Sequence, residues 1–253
     1  MYMYFLLLPL LFQAVRSLPT NKDISHTTVA LVYSALALDG IRFENCTVTD
    51  AIPPLQDSNP QLPAPSQGLK LKHVALGRGT QNYTCSSSDA STVPAAVGAV
   101  ASLFDASCLA TKYPNVLHQL PPALMQLPVD GVIYAAMSLG RLLSSKDGGL
   151  VLGQHYFADP TTPFFDLRLC GYKDWAAAVK NASVSAPHPL QSSTTSKDEQ
   201  SADVPWLKLE SKDGVGIKEV YRLVTAGGSP PATCEGQAPS FDVDYAAEYW
   251  FYG

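Results

Sequence analysis

Charge is sparse in this chain: 15% of its residues are Asp, Glu, Lys or Arg, and the basic ones form no cluster. With a net charge of −5 it offers no stripe or patch for nucleic acid or anionic lipid. Its five cysteines never occur as Cys-x-x-Cys, and no histidine pair accompanies them, so no metal site is expected. No serine sits in a Gly-x-Ser-x-Gly elbow, which removes the usual mark of an acyl-transfer nucleophile. No apolar run approaches the ~20 residues needed to cross a bilayer, so no membrane span is expected.

What the sequence does have begins at its first residues. Leu6, Leu7, Leu8, Leu10, Leu11 and Phe12 form a short apolar run, followed by Ala14-Val15-Arg16-Ser17. This pattern predicts a signal peptide over residues 1–17, cleaved after Ser17. Export gives meaning to three acceptor triplets, at Asn45, Asn82 and Asn181, of which Asn181 borders a polar loop. In an oxidising compartment, five cysteines form two disulfides and leave one thiol. The expected location is outside the cell or in its wall.

Residues 18–68 read as an extension ending in a linker, since Pro53 to Gln67 holds five prolines. Thr27–Leu38 suits either strand or helix, with β-branched residues favouring strand. A single β domain then spans 69–253. Strands are expected over Leu69–Leu76, Thr80–Cys85 and Ala95–Phe104, and a hairpin joins Trp206–Glu210 to Ile217–Thr225 around Lys212-Asp213-Gly214. Phe165, Leu167 and Leu169 alternate with polar neighbours, as one dry sheet face requires. An insertion over about 111–148 carries a helix, because Val132, Ala135, Ala136, Leu139, Leu142 and Leu143 recur at helical spacing. Residues 186–203 are Ser, Thr and Pro-rich and read as an exposed loop.

The last segment has the clearest period. Phe241, Val243, Tyr245, Ala247, Tyr249 and Phe251 share one face of a strand, and Asp242, Asp244, Glu248 and Tyr252 the other, with a bend expected near Ala246-Ala247. The predicted fold is all-β: an antiparallel sandwich or open barrel with a short helical insertion.

Several blocks resemble a known family. Leu76-Gly77-Arg78-Gly79-Thr80-Gln81-Asn82-Tyr83-Thr84-Cys85, Leu152-Gly153-Gln154-His155-Tyr156-Phe157 and Pro163-Phe164-Phe165-Asp166-Leu167 are similar to blocks of domain-of-unknown-function family 3455. So are Val204-Pro205-Trp206-Leu207-Lys208-Leu209, Val220-Tyr221-Arg222, Thr225-Ala226-Gly227-Gly228 and Tyr245-Ala246-Ala247-Glu248-Tyr249-Trp250-Phe251-Tyr252. The family occurs in secreted fungal and bacterial proteins, and the resemblance implies no established activity. Its members are often labelled malate dehydrogenase. Asn82 stands where the third glycine of a dinucleotide turn belongs, so no such cofactor is expected. The resemblance implies a Cys85–Cys234 disulfide; Cys46 with Cys108 is the preferred second pair, leaving Cys170 free.

Candidate site residues follow from chemistry. His155, flanked by aromatics, is the candidate for proton transfer if Asp166 or Glu248 orients it. Arg78, Gln81 and Tyr83 adjoin two glycines, where polar donors and backbone can approach a ligand, unless this is a turn whose arginine pairs with an internal carboxylate. Trp206, Tyr221, Tyr249, Trp250 and Tyr252 form either an aromatic platform for sugar rings or a core, with Trp250 and Tyr252 on the wetter face. Arg222 and Glu248 complete the set. Asp242 and Asp244 have the spacing of a glycosidase pair, although solvated carboxylates look the same. Two functions compete: a binding module for a carbohydrate, host or cell-wall ligand, and a hydrolase centred on His155 and a carboxylate. The sequence leaves the oligomeric state open.

Overall fold

The computed structural model describes residues 46–125, 128, 150–187 and 202–253. Eight strands follow one another along the chain: β1 Leu71–Thr84, β2 Ala95–Asp105, β3 Val151–Asp159, β4 Thr162–Asp166, β5 Trp175–Val184, β6 Trp206–Val215, β7 Glu219–Gly227 and β8 Ser240–Tyr252. Each pairs antiparallel with its neighbour, and β8 returns to pair with β1 from Leu71↔Tyr252 to Thr84↔Ser240. The result is a closed barrel. The all-β antiparallel expectation is met, and of the two architectures expected the barrel forms, with no open edge between first and last strands.

Alternation along the strands sorts side chains between two cores. Inside the barrel, Phe165, Tyr245, Tyr249 and Phe251 pack against a wall that includes Ala75, Ala99, Ala101, Ala176 and Ala178. An eight-stranded barrel has little internal room, so large rings on β4 and β8 require small residues opposite them. Gly77 is the tightest case: a Cβ there would lie 2.4 Å from the Tyr249 ring. The outer core joins Val74, Leu76, Phe104, Trp206, Tyr221, Leu223, Trp250 and Tyr252 to the short helices α1 Ser107–Lys112, α2 Pro114–Leu117 and α3 Leu120–Leu124. β8 is consequently buried on both faces from Tyr245 to Tyr252.

The proline-rich segment is extended, but it is docked rather than a free linker. Leu62 is buried in the outer core. The Tyr221 hydroxyl donates to the Pro63 carbonyl at 2.9 Å, and Lys208 Nζ donates to the Ala64 carbonyl at 2.9 Å. Glu219 accepts from both the backbone N–H and the hydroxyl of Ser66, and pairs with Lys208 at 3.1 Å. Two disulfides add covalent ties: Cys46–Cys108 fastens the residues preceding this segment to α1, and Cys85–Cys234 joins the end of β1 to the β7–β8 connection. Cys170 keeps a free thiol.

Several local expectations need correction. Leu69–Leu76 and Thr80–Cys85 are not separate strands with a turn between them; β1 runs unbroken through Gly77-Arg78-Gly79. Glycine serves packing at these positions, since a Cβ on Gly79 would meet the Val100 carbonyl at 1.9 Å. Phe165 and Leu167 are buried, but β4 ends at Asp166 and a 3-10 turn over Arg168–Cys170 carries Leu169 out to 66% exposure. Lys212-Asp213-Gly214 belongs to β6, where Asp213 and Gly214 pair with β5; the hairpin turns at Gly216, whose φ of +75° suits glycine. The bend or bulge expected near Ala246-Ala247 is not in β8, which pairs there with β1 without a register shift; the irregularity lies in the facing strand, between Leu223 and Ala226 of β7. The helix expected over Val132–Leu143, the Thr27–Leu38 segment, the signal peptide and residues 188–201 of the polar loop lie outside the described residues.

Filling the Gly77 space should therefore strain the inner core. Gly77→Val is expected to lower stability by about 1–3 kcal/mol, a fall in Tm of roughly 2–12 °C, measured by thermal unfolding. An unchanged Tm would contradict the close Gly77–Tyr249 packing.

Candidate functional site

Strand register decides which polar side chains meet. Arg222 of β7 pairs with Tyr249 of β8, an inner-core residue, so its side chain belongs to the barrel interior. His155 of β3 pairs with Ala101 and Phe165, both inner-core residues. Gln81 and Tyr83 of β1 pair with Val243 and Phe241, which continue the inner face of β8. Four sequence candidates thus gather inside one end of the barrel, together with Tyr245 and Tyr249. All six are buried.

The cluster is rich in donors. The Tyr245 and Tyr249 hydroxyls share a hydrogen bond at 2.8 Å. Tyr83 donates to the Gly228 carbonyl at 2.7 Å. Arg222 donates through Nη2 to the Pro205 carbonyl at 2.9 Å and also faces the Tyr249 hydroxyl, yet its Nε has no hydrogen-bond partner. The Gln81 amide reaches toward the Tyr245 hydroxyl, but its Nε2 completes no hydrogen bond. Buried donors left in this state cost about 1–3 kcal/mol each.

His155 stacks on Phe165 with ring centroids 4.4 Å apart. Its Nδ1–H donates to the Phe164 carbonyl at 3.0 Å, an assignment that follows because a carbonyl only accepts. Burial, helped by the Arg222 charge, outweighs that hydrogen bond and pushes the imidazole pKa down to about 4. His155 is thus a neutral imidazole at neutral pH. Neither expected carboxylate orients it. Asp166 is held by the Arg168 guanidinium through two contacts of 2.9 Å, and Glu248 points to the opposite side of the barrel wall. The His–carboxylate pair that hydrolysis was expected to need is not assembled.

The remaining candidates lie elsewhere. Trp206, Trp250 and Tyr252 sit in the outer core, so the wetter-face reading of Trp250 and Tyr252 is overturned: helices and the docked proline segment cover that face. They form no exposed aromatic platform. Arg78 is buried within the β1 strand rather than in a turn, donating to the carbonyls of Gly79 and Tyr245 and pairing with Asp244 at 3.1 Å. Asp242 and Asp244 are exposed, and Asp244 is taken up by that ion pair. Asn82 lies mid-strand in β1 and is half-buried. Asn181 is exposed at a register shift between β5 and β6, its Nδ2 donating to Glu210 at 2.7 Å. Asn45 lies outside the described residues.

With the geometry in place, the comparisons add one assignment. A family model described as a protein of unknown function, DUF3455, matches residues 65–253. The chain belongs to the DUF3455 family. No curated protein and no solved structure matches it. For this DUF3455 chain, Gly77-Arg78-Gly79 lies inside β1, so no helix N-terminus stands there to meet a pyrophosphate.

Two features escaped the sequence reading. Tyr245 shares parity with Phe251 and looked like plain core, and Tyr249 was named only as platform or core, yet their hydroxyls join in the cluster. His118, at the end of α2, stands in no motif. Its Nδ1 meets Glu248 at 2.8 Å, and Trp250 Nε1 donates to the other Glu248 oxygen at 3.0 Å, clamping the helices to the barrel wall. The Glu248 hydrogen bond raises the His118 pKa above 6.5, while desolvation raises Glu248 above its ordinary 4.5.

Both folded-state pKa values lie above their unfolded ones, so the native state holds extra protons and this contact loses stabilising strength as pH rises. The stability advantage of wild type over Glu248→Gln is expected to be greatest in mild acid and to shrink as pH climbs past 6.5, read from unfolding midpoints across pH. A pH-independent difference would show that the contact is not ionised.

Proposed function

We propose that this DUF3455 protein is an extracellular or wall-associated N-glycosylated binding module that takes a small ligand into one end of its barrel. The observation that carries this reading is the pair of buried donors, Arg222 Nε and Gln81 Nε2, left without partners on the inner wall. Native interiors rarely tolerate such groups unless something else completes them. Small barrels of eight strands hold one compact ligand at most, which matches a cluster of this size.

The route in is marked by exposure. Phe157 and Leu207 pack against the inner core yet remain partly exposed, as rim residues do. Export is supported by the apolar start of the sequence, by two disulfides suited to an oxidising compartment, and by the exposed Asn181 acceptor. A surface platform for carbohydrate is no longer the favoured mode, because its aromatics are buried.

The test uses protein collected from the medium of a secretory host, with the neutral fluorophore 1-aminoanthracene as probe. Saturable one-to-one binding is expected, and Leu207→Trp, which narrows the entry, should abolish it without moving Tm. Failure to reach the medium, absence of saturable binding, or binding untouched by Leu207→Trp would each overturn the reading.

A further inference from the structure

The inner cluster has a charge as well as spare donors, and that charge narrows the ligand class. Arg222 is 9% exposed and Gln81 8% exposed. Among the described residues, no ion pair includes Arg222. Its inner-face neighbours Tyr245 and Tyr249 are phenols that burial keeps protonated, and His155 is uncharged at neutral pH. A guanidinium in such surroundings is a buried cation that an anion would neutralise.

The donor set also limits the anion. A carboxylate has two oxygens and about four lone-pair sites, suited to the planar Arg fork with further donors alongside. The donors here are the Arg222 Nε–H, the Gln81 Nε2–H and the hydroxyls at the Tyr245–Tyr249 pair. A phosphate dianion would bring a second charge and extra oxygens into a wall of Ala99, Ala101 and Ala178 that has nothing to meet them. The partly exposed Phe157 and Leu207 offer apolar contact for the rest of the molecule nearer the rim.

Resting on the interior-binding reading, we infer that the barrel binds a small monocarboxylate with an apolar body, its carboxylate inward on Arg222 and Gln81. Arg222 is the anchor and Gln81 the second donor. The three-residue block Val220-Tyr221-Arg222 then has a division of labour: Val220 and Arg222 face inward, and Tyr221 outward onto the docked proline segment.

Calorimetric titration of the secreted protein with 3-phenylpropanoate, its methyl ester and 3-phenylpropylamine tests this. The acid is expected to bind, the ester at least about tenfold more weakly, and the amine not measurably. Arg222→Gln should weaken the acid by at least about tenfold and leave the ester unchanged. If Arg222→Gln does not fold, judged by Tm and circular dichroism, Gln81→Leu must produce the same selective loss for the acid. Acid and ester binding alike, an acid indifferent to these substitutions, or no acid binding by a protein that still takes up 1-aminoanthracene would overturn the carboxylate assignment and leave interior binding standing. If neither the three compounds nor 1-aminoanthracene bind, both readings fall.

Discussion

The antiparallel ladder between β1 and β8 joins the two ends of the barrel's chain, and most other features exist because it forms. It runs the whole length of both strands, and the backbone pairs of Lys70 with Gly253 extend it by one further position. Without it β1 and β8 would be two edges, each presenting a row of unpaired backbone groups. With it the inner face becomes a closed space, and side chains from β1, β3, β7 and β8 that are far apart in sequence are held around one small volume. The donor cluster is a consequence of closure: Gln81, His155 and Arg222 meet only if all three strands belong to the same ring.

Closure does not explain why β7, the later half of β8 and Val74–Gly79 of β1 are buried on both faces. That depends on the outer layer, where three short helices and the docked proline segment cover the wall. Polar groups caught beneath this layer are satisfied in pairs. Glu248 accepts from His118 and Trp250, while Glu219 takes Ser66 and Lys208. The two cores therefore differ in kind. The outer one is a structural seal with its buried carboxylates occupied, whereas the inner one leaves a cation and an amide incompletely bonded.

Much of the fold was legible because strand parity survives burial. The alternation from Phe241 to Phe251 put Tyr245, Tyr249 and Phe251 on one face, and the structure keeps them there. Parity alone does not say whether the second face is wet. Asp242 and Asp244 at the start of β8 suggested that it was, but the helices cover only the later half, so Trp250 and Tyr252 are dry. Gly77 and Gly79 misled for a related reason: glycine usually signals a turn, and here it makes room for a ring and a neighbouring backbone. At the candidate site, Gln81, Tyr83, His155 and Arg222 could be named from the sequence as polar residues in strand-forming blocks. Their convergence could not, because it depends on register between strands and on the barrel closing.

Native-state hydrogen exchange on the amides of Leu71–Thr84 and Ser240–Tyr252 bears most directly on closure. In a closed barrel the central amides of both strands should exchange last and together, only through global unfolding, with protection tracking total stability. If the central amides of either strand exchanged as readily as those of the Ser86–Thr92 loop, the ladder would not close the sheet, and the inner cluster built upon it would not exist.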